Sequence, residues 1–181
     1  MVKGKDIWDL AAACGEVYGD TNEFLTELEY RCAAHLSDGS FLPCVVVRNR
    51  SELRERLKKR LREGDTEKYD SILGNRATVV DPFLTRNYIS PEDIVSLERS
   101  RHAIPLRVLG QVTEDLFSFP FIATMDDGCA FSFCTNWDMH FFEMPHGYHA
   151  DRIDTVRSTS MKSISDPVYR QKNFSTCLVE E

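Results

Sequence analysis

Cys129, Cys134, His140, Glu143, His146 and His149 crowd into one short stretch that holds three of the five histidines and two of the six cysteines. Thiolate, imidazole and carboxylate are the ligand types of a transition-metal site, and imidazole with carboxylate also serves general acid and base catalysis. His140, Glu143, His146 and His149 are therefore the candidate catalytic residues of a hydrolase, and His140, His146 and His149 the candidate ligands if a metal is bound. Spacing argues against the simplest version. In an extended strand Cys129 and Cys134 point to opposite faces, as do His140 and Glu143, so they share one ion only where the chain bends. His146 and His149 flank Gly147 after Pro145 and lack the i,i+4 helical geometry of a zincin pair. The expectation is no metal and no cofactor, with surface or hydrogen-bonded histidines as the plainer assignment.

Three further groups of side chains carry weaker signals. Cysteine catalysis needs a thiolate within reach of a histidine, and no local pattern pairs them; Cys14 and Cys32 fall on apolar helical stripes and Cys44 begins an apolar run. Between Arg48 and Glu63 eight basic residues stand against three acids, so this segment carries +5 and the remainder of the chain −12. Arg54, Lys58 and Arg62 are its candidate nucleic-acid contacts, since clustered cations neutralise phosphates. The basic residues surround the Leu53, Leu57 and Leu61 stripe instead of forming one face, and Glu52 with Arg56 and Glu55 with Lys59 have the order that stabilises a solvated helix. Nucleic acid is thus not the expected partner of a chain with a net charge of −7. Asp126 and Asp127 form a carboxylate pair beside Gly128, a turn before it is a site, and Trp137 in Asn136-Trp137-Asp138 offers an aromatic anchor for a partner.

The chain has 181 residues, enough for one core that removes roughly 70% of the unfolded surface from water without a metal or disulfide. Apolar runs such as Cys44 to Val47 and Phe119 to Ala123 fall far short of the ~20 residues of a membrane span, and Asp6 and Asp9 interrupt any export signal. Six scattered cysteines with no CxxC pair read as reduced thiols, which places the chain in the cytoplasm. Walker-type loops, dinucleotide-binding glycine patterns, nucleophile elbows and HExxH are absent from the sequence.

The elements that must position these side chains follow from periodicity. Ile7, Leu10, Ala11, Cys14, Val17 and Tyr18 lie on one helical face, and Asp20 with Glu23 caps a second helix carrying Phe24, Leu28, Cys32 and Leu36. A buried strand is expected at 41–48, the basic helix at 51–63, a short helix at 66–73 and a short strand at 77–83. Ser90-Pro91-Glu92-Asp93 predicts a helix from about Pro91 to Arg101. Strands are expected at 104–109, 116–125, 129–134 and 139–144, with Asp127-Gly128 as a two-residue hairpin turn that sets Phe131 and Phe133 beside Ile122 and Thr124.

The fold expected is α+β: N-terminal helices packed on a mainly antiparallel sheet formed largely by residues 104–144, with an additional strand near 41–48. Residues 1–154 make a single domain and 155–181, rich in serine and threonine, a loop or docking tail of it. The function expected is a non-catalytic intracellular interaction module, with an acidic inhibitor of the immunity or anti-defence type as the nearest analogy and another protein or a second copy of the chain as partner. A hydrolase built on the 129–149 cluster, with or without a metal, is the alternative, and nucleic-acid binding through helix 51–63 the second.

Overall fold

The computed structural model describes residues 4–14, 16–18, 29–49, 51, 87–109, 120–134 and 140–179. The chain forms two compact units, Met1–Glu98 with Ser175–Glu181, and Arg99–Phe174. The broad expectation of mixed α and β structure holds, but among the described residues strands dominate and the sheets are mixed, not mainly antiparallel.

The first unit opens with α1 (Gly4–Cys14), which presents Ile7 and Ala11, four residues apart, to the core. The helix expected to reach Tyr18 stops at Cys14, and β1 (Glu16–Tyr18) follows. A larger correction concerns Glu29–Leu36, expected within the second helix: it is strand β2. The four-residue spacing of Phe24, Leu28, Cys32 and Leu36 competes there with an alternation of Tyr30 and Cys32 about Arg31. Pairing with the β-branched run of β3 (Phe41–Asn49) decides between them, Tyr30 opposite Val47 and Cys32 opposite Val45. Strand β3 meets the expectation for 41–48.

Two short elements continue this unit, β4 (Tyr88–Ile89) and β5 (Ile94–Arg99). The helix expected over Pro91–Arg101 is one 3-10 turn, Pro91–Asp93, after which β5 leaves Val95 58% exposed. The start signal at Ser90-Pro91 is real, but no apolar stripe follows it to hold a helix against the core. The sheet runs β1-β2-β3-β10-β4, with β5 also paired to β2; β10 (Ser175–Val179) lies parallel to both β3 and β4. One face sets Tyr30, Cys32, Val45, Val47, Cys177 and Val179 against α1. The other carries Glu29, Arg31, Val46, Arg48, Thr176 and Leu178, all buried. Arg48 Nε lies 2.8 Å from Glu29 Oε1 across the paired strands. Their mutual charge offsets part of the desolvation that burial imposes on each.

The second unit is built on the hairpin β6 (Pro120–Met125) and β7 (Ala130–Cys134), in a sheet of order β8-β6-β7-β9 with β8 (Ile153–Ser158) and β9 (Val168–Arg170). The hairpin sits where Asp127-Gly128 marks it, but its register differs. Thr124 pairs with Ala130, the turn closes through Met125 N–H to Cys129 O, and Phe121 and Ala123 oppose Phe133 and Phe131. A loop longer than two residues shifts the register by one and exchanges the faces. Phe121 and Phe133 stack at 5.2 Å, with Phe142 edge-on to both.

That aromatic face is closed by Ile104, Val108, Met144, Ala150 and Ile153. The expected strand 104–109 is instead the short helix α2 (Leu106–Leu109), begun after Pro105, whose carbonyl accepts from Val108 N–H. The expected strand 139–144 reduces to one bridge, Phe142 with Gln171. Within 155–179, expected as a loop or docking tail, most of β8 and all of β9 and β10 enter sheets. The low hydrophobicity of β8 is that of an edge strand, with only Ile153 and Val156 buried. Expected elements at 20–28, 52–63, 66–73 and 77–83 lie outside the described residues.

Candidate functional site

The segment after β7 brings only part of the histidine cluster together. His140 is half-buried with its ring 4.8 Å from that of Phe174. Glu143 is exposed, and its backbone N–H donates to Arg170 O at 2.8 Å. Pro145 to Tyr148 form a turn closed by Tyr148 N–H to Pro145 O, with Gly147 at φ +81°, and this leaves His146 and His149 exposed. Cys129 is exposed at the hairpin tip and Cys134 half-buried at the end of β7. No group of three or more His, Cys, Asp and Glu among the described residues is arranged to hold a metal ion.

The histidine most engaged with this segment is one that sequence reasoning passed over. His102 Nδ1 is 2.9 Å from Phe142 O, and its own carbonyl accepts from Phe142 N–H at 3.0 Å. A carbonyl only accepts, so Nδ1 carries the proton. Burial lowers the His102 pKa, and the nearby positive groups Lys172 and Arg101 add to that effect. Residues 102 and 142 stand 40 apart. No local spacing connects them.

Among the described residues, a cross-braced polar constellation lies at the β6–β7 tip. Asp126 accepts from Arg152 Nη2 at 2.7 Å and from Nε at 3.0 Å, a two-pronged contact. Asp127 Oδ1 accepts from Cys129 N–H at 3.0 Å, and its Oδ2 accepts from Tyr148 Oη at 2.8 Å and Arg152 Nη2 at 3.4 Å. Arg152 also lies over the Tyr148 ring, 5.0 Å from its centroid. The backbone explains why these meet. Asp126 N–H donates to Arg152 O, which ties the turn to the 3-10 turn Ala150–Arg152 entering β8, while Phe131 packs edge-on against Tyr148 at 5.0 Å.

The electrostatics follow from those bonds. The Cys129 amide and then the Tyr148 hydroxyl hold the Asp127 carboxyl below the usual carboxylate range. The Tyr148 pKa is raised by its contacts with the Cys129 thiol and the Asp127 carboxylate, and that of Arg152 by its bonds to Asp126. Tyr148 is thereby disfavoured as a base. The two carboxylates and one guanidinium leave one net negative charge on an exposed, cross-braced turn. Each carboxylate has roughly four acceptor sites, so both retain capacity for an outside donor.

Asp126 and Asp127 are thus the sequence candidates that the fold brings together, joined by Tyr148 and Arg152, whose distant positions gave no signal. Trp137, Arg54, Lys58 and Arg62 lie outside the described residues. No described helix is long and apolar enough to cross a membrane. Comparison of the chain with protein-family models, with curated proteins and with solved structures finds no match in any of the three.

Proposed function

We propose that the chain is a non-catalytic protein-interaction module whose acidic hairpin tip receives a basic surface of another protein. The observation that carries the reading is the bracing of Asp126 and Asp127 by Arg152, Tyr148 and the Cys129 amide on an exposed turn. A carboxylate pair already ordered loses little freedom on binding, and its spare acceptor sites suit arginine or lysine donors. The charge of −12 outside Arg48–Glu63 steers a cationic partner in the same sense. An acidic inhibitor that covers a basic active site, of the immunity or anti-defence type, fits this chemistry by analogy.

The test is co-elution of the untagged chain with a partner at micromolar concentration, before and after the paired change Asp126→Asn and Asp127→Asn. The amides keep the size of the side chains and remove their charge, so complex formation should weaken and lose part of its salt dependence while the fold survives. An unchanged complex would remove the tip from the interface. Turnover of a small substrate by the isolated chain would favour the hydrolase instead.

A further inference from the structure

Two of the four thiols of the first unit form a pair that no expected function uses. Cys14 is the last residue of α1 and Cys32 lies in the middle of β2, and their sulfurs approach to 3.7 Å. Cys14 is half-buried, whereas Cys32 is fully buried, so an outside reagent meets the first before the second. Ala11, one helical turn before Cys14, is itself buried in the core with Cys32, which fixes the helix end over the strand. Both thiols are reduced. A disulfide requires the sulfurs to close to about 2.05 Å, a movement on the scale of one side-chain rotation.

The chemical asymmetry matches the geometric one. The Cys32 thiol, by hydrogen bonding, lowers the pKa of Cys14, while that contact and burial raise the pKa of Cys32. Burial also pushes Cys177, in the same core, up to about 12, which leaves it inert. An attacking thiol needs access and thiolate character; the resolving thiol must be adjacent and lose its proton, which the Cys14 thiolate no longer opposes once Cys14 is held in a mixed disulfide.

We propose that Cys14 and Cys32 are a redox-reactive dithiol that takes low-molecular-weight disulfides as its substrate class. The Cys14 thiolate attacks one sulfur of the small disulfide, forming a mixed disulfide and expelling one small thiolate. Cys32 gives up its proton and attacks the Cys14 sulfur, forming the Cys14–Cys32 bond and expelling the second. Two protons from the cysteines end on the two released thiols. Two electrons pass from the protein sulfurs to the small disulfide, which is reduced as the protein is oxidised. The product links the end of α1 to β2.

The experiment uses the full chain and oxidised glutathione, with alkylation of remaining thiols and peptide mass mapping. The proposal expects a Cys14–Cys32 cross-linked peptide in the wild type and in Cys129→Ser, which removes the exposed competing thiol. Cys14→Ser should abolish it, and Cys32→Ser should hold one glutathione on Cys14 because nothing resolves the mixed disulfide. As a readout independent of the variants, acid quenching of the wild type at early times should find glutathione on Cys14 before the cross-link. Glutathione first on Cys32, or Cys14 and Cys32 still alkylated after Cys129 has fully reacted, would overturn the proposal.

Discussion

His102 ties a proton to the packing of the second unit. Its Nδ1–H is bonded to the Phe142 carbonyl and its ring is half-buried, an arrangement compatible with the neutral tautomer that carries its proton on Nδ1. Burial puts the folded-state pKa below the ordinary 6.5. A depressed value means that the unfolded chain binds the proton first. The resulting stability is complete above 6.5 and is lost as the pH falls through the folded-state value. Acidification from neutrality to about pH 5 should therefore lower the melting temperature. His102→Asn, which keeps an N–H for Phe142 O and cannot titrate, should flatten that dependence; equal slopes for the two proteins would count against the assignment. The titration midpoint of the His102 ring, followed by NMR, should fall below the ordinary 6.5.

At the scale of elements, the β6–β7 hairpin shows what sequence reading reaches and what it misses. Asp127-Gly128 locates the turn because Gly128 takes φ +85°, a conformation that L residues other than Asn and Asp avoid. A Cβ placed there meets nothing within 4 Å, so the cost of Gly128→Ala is confined to the backbone. It should come to about 1–2 kcal/mol in urea unfolding, with Gly128→Asn milder. A loss near zero would mean that the turn relaxes to another form. The register was not legible, because two- and three-residue loops share the Asp-Gly signal and differ in which face the phenylalanines take. Strand β2 is hidden in the sequence for a related reason. The spacing of Leu28, Cys32 and Leu36 satisfies a helix, and only the distant Val45-Val46-Val47 run supplies the pairing that makes Glu29–Leu36 a strand. By contrast β3 was legible from its own composition, since three consecutive valines suit a strand buried on both faces. The acidic tip was half legible: Asp126 and Asp127 are adjacent in the chain, but Tyr148 and Arg152 reach them only through the fold.

Across the whole molecule the path of the chain matters most. It leaves the first unit at Glu98, builds Arg99–Phe174, and returns at Ser175. Strand β10 does not add to an edge on its return; it lies between β3 and β4 and pairs with both. Removing Ser175–Glu181 should therefore part β4 from the first sheet and uncover one edge of β3. Hydrogen exchange should report lost protection at Val45, Val46 and Val47, with protection kept at Phe121, Ile122 and Ala123 in the second unit. A synthetic peptide covering 175–181 should restore the lost protection when added in excess. Undiminished protection at the valines would show that β3 is held without β10.

The late return of β10 also orders events during synthesis. The helix α1 and strands β1 to β5 emerge first, yet their sheet lacks the strand that joins β3 to β4 until residues 175–179 have left the ribosome. At about 5–20 residues per second the intervening Arg99–Phe174 takes roughly 4–15 s to translate. For that interval the valines of β3 present an open pairing edge, the kind of surface that draws nascent chains into aggregates or into the hands of chaperones. The second unit, continuous in sequence, has all its described strands before the first can close, so the part of the protein made first is the part finished last.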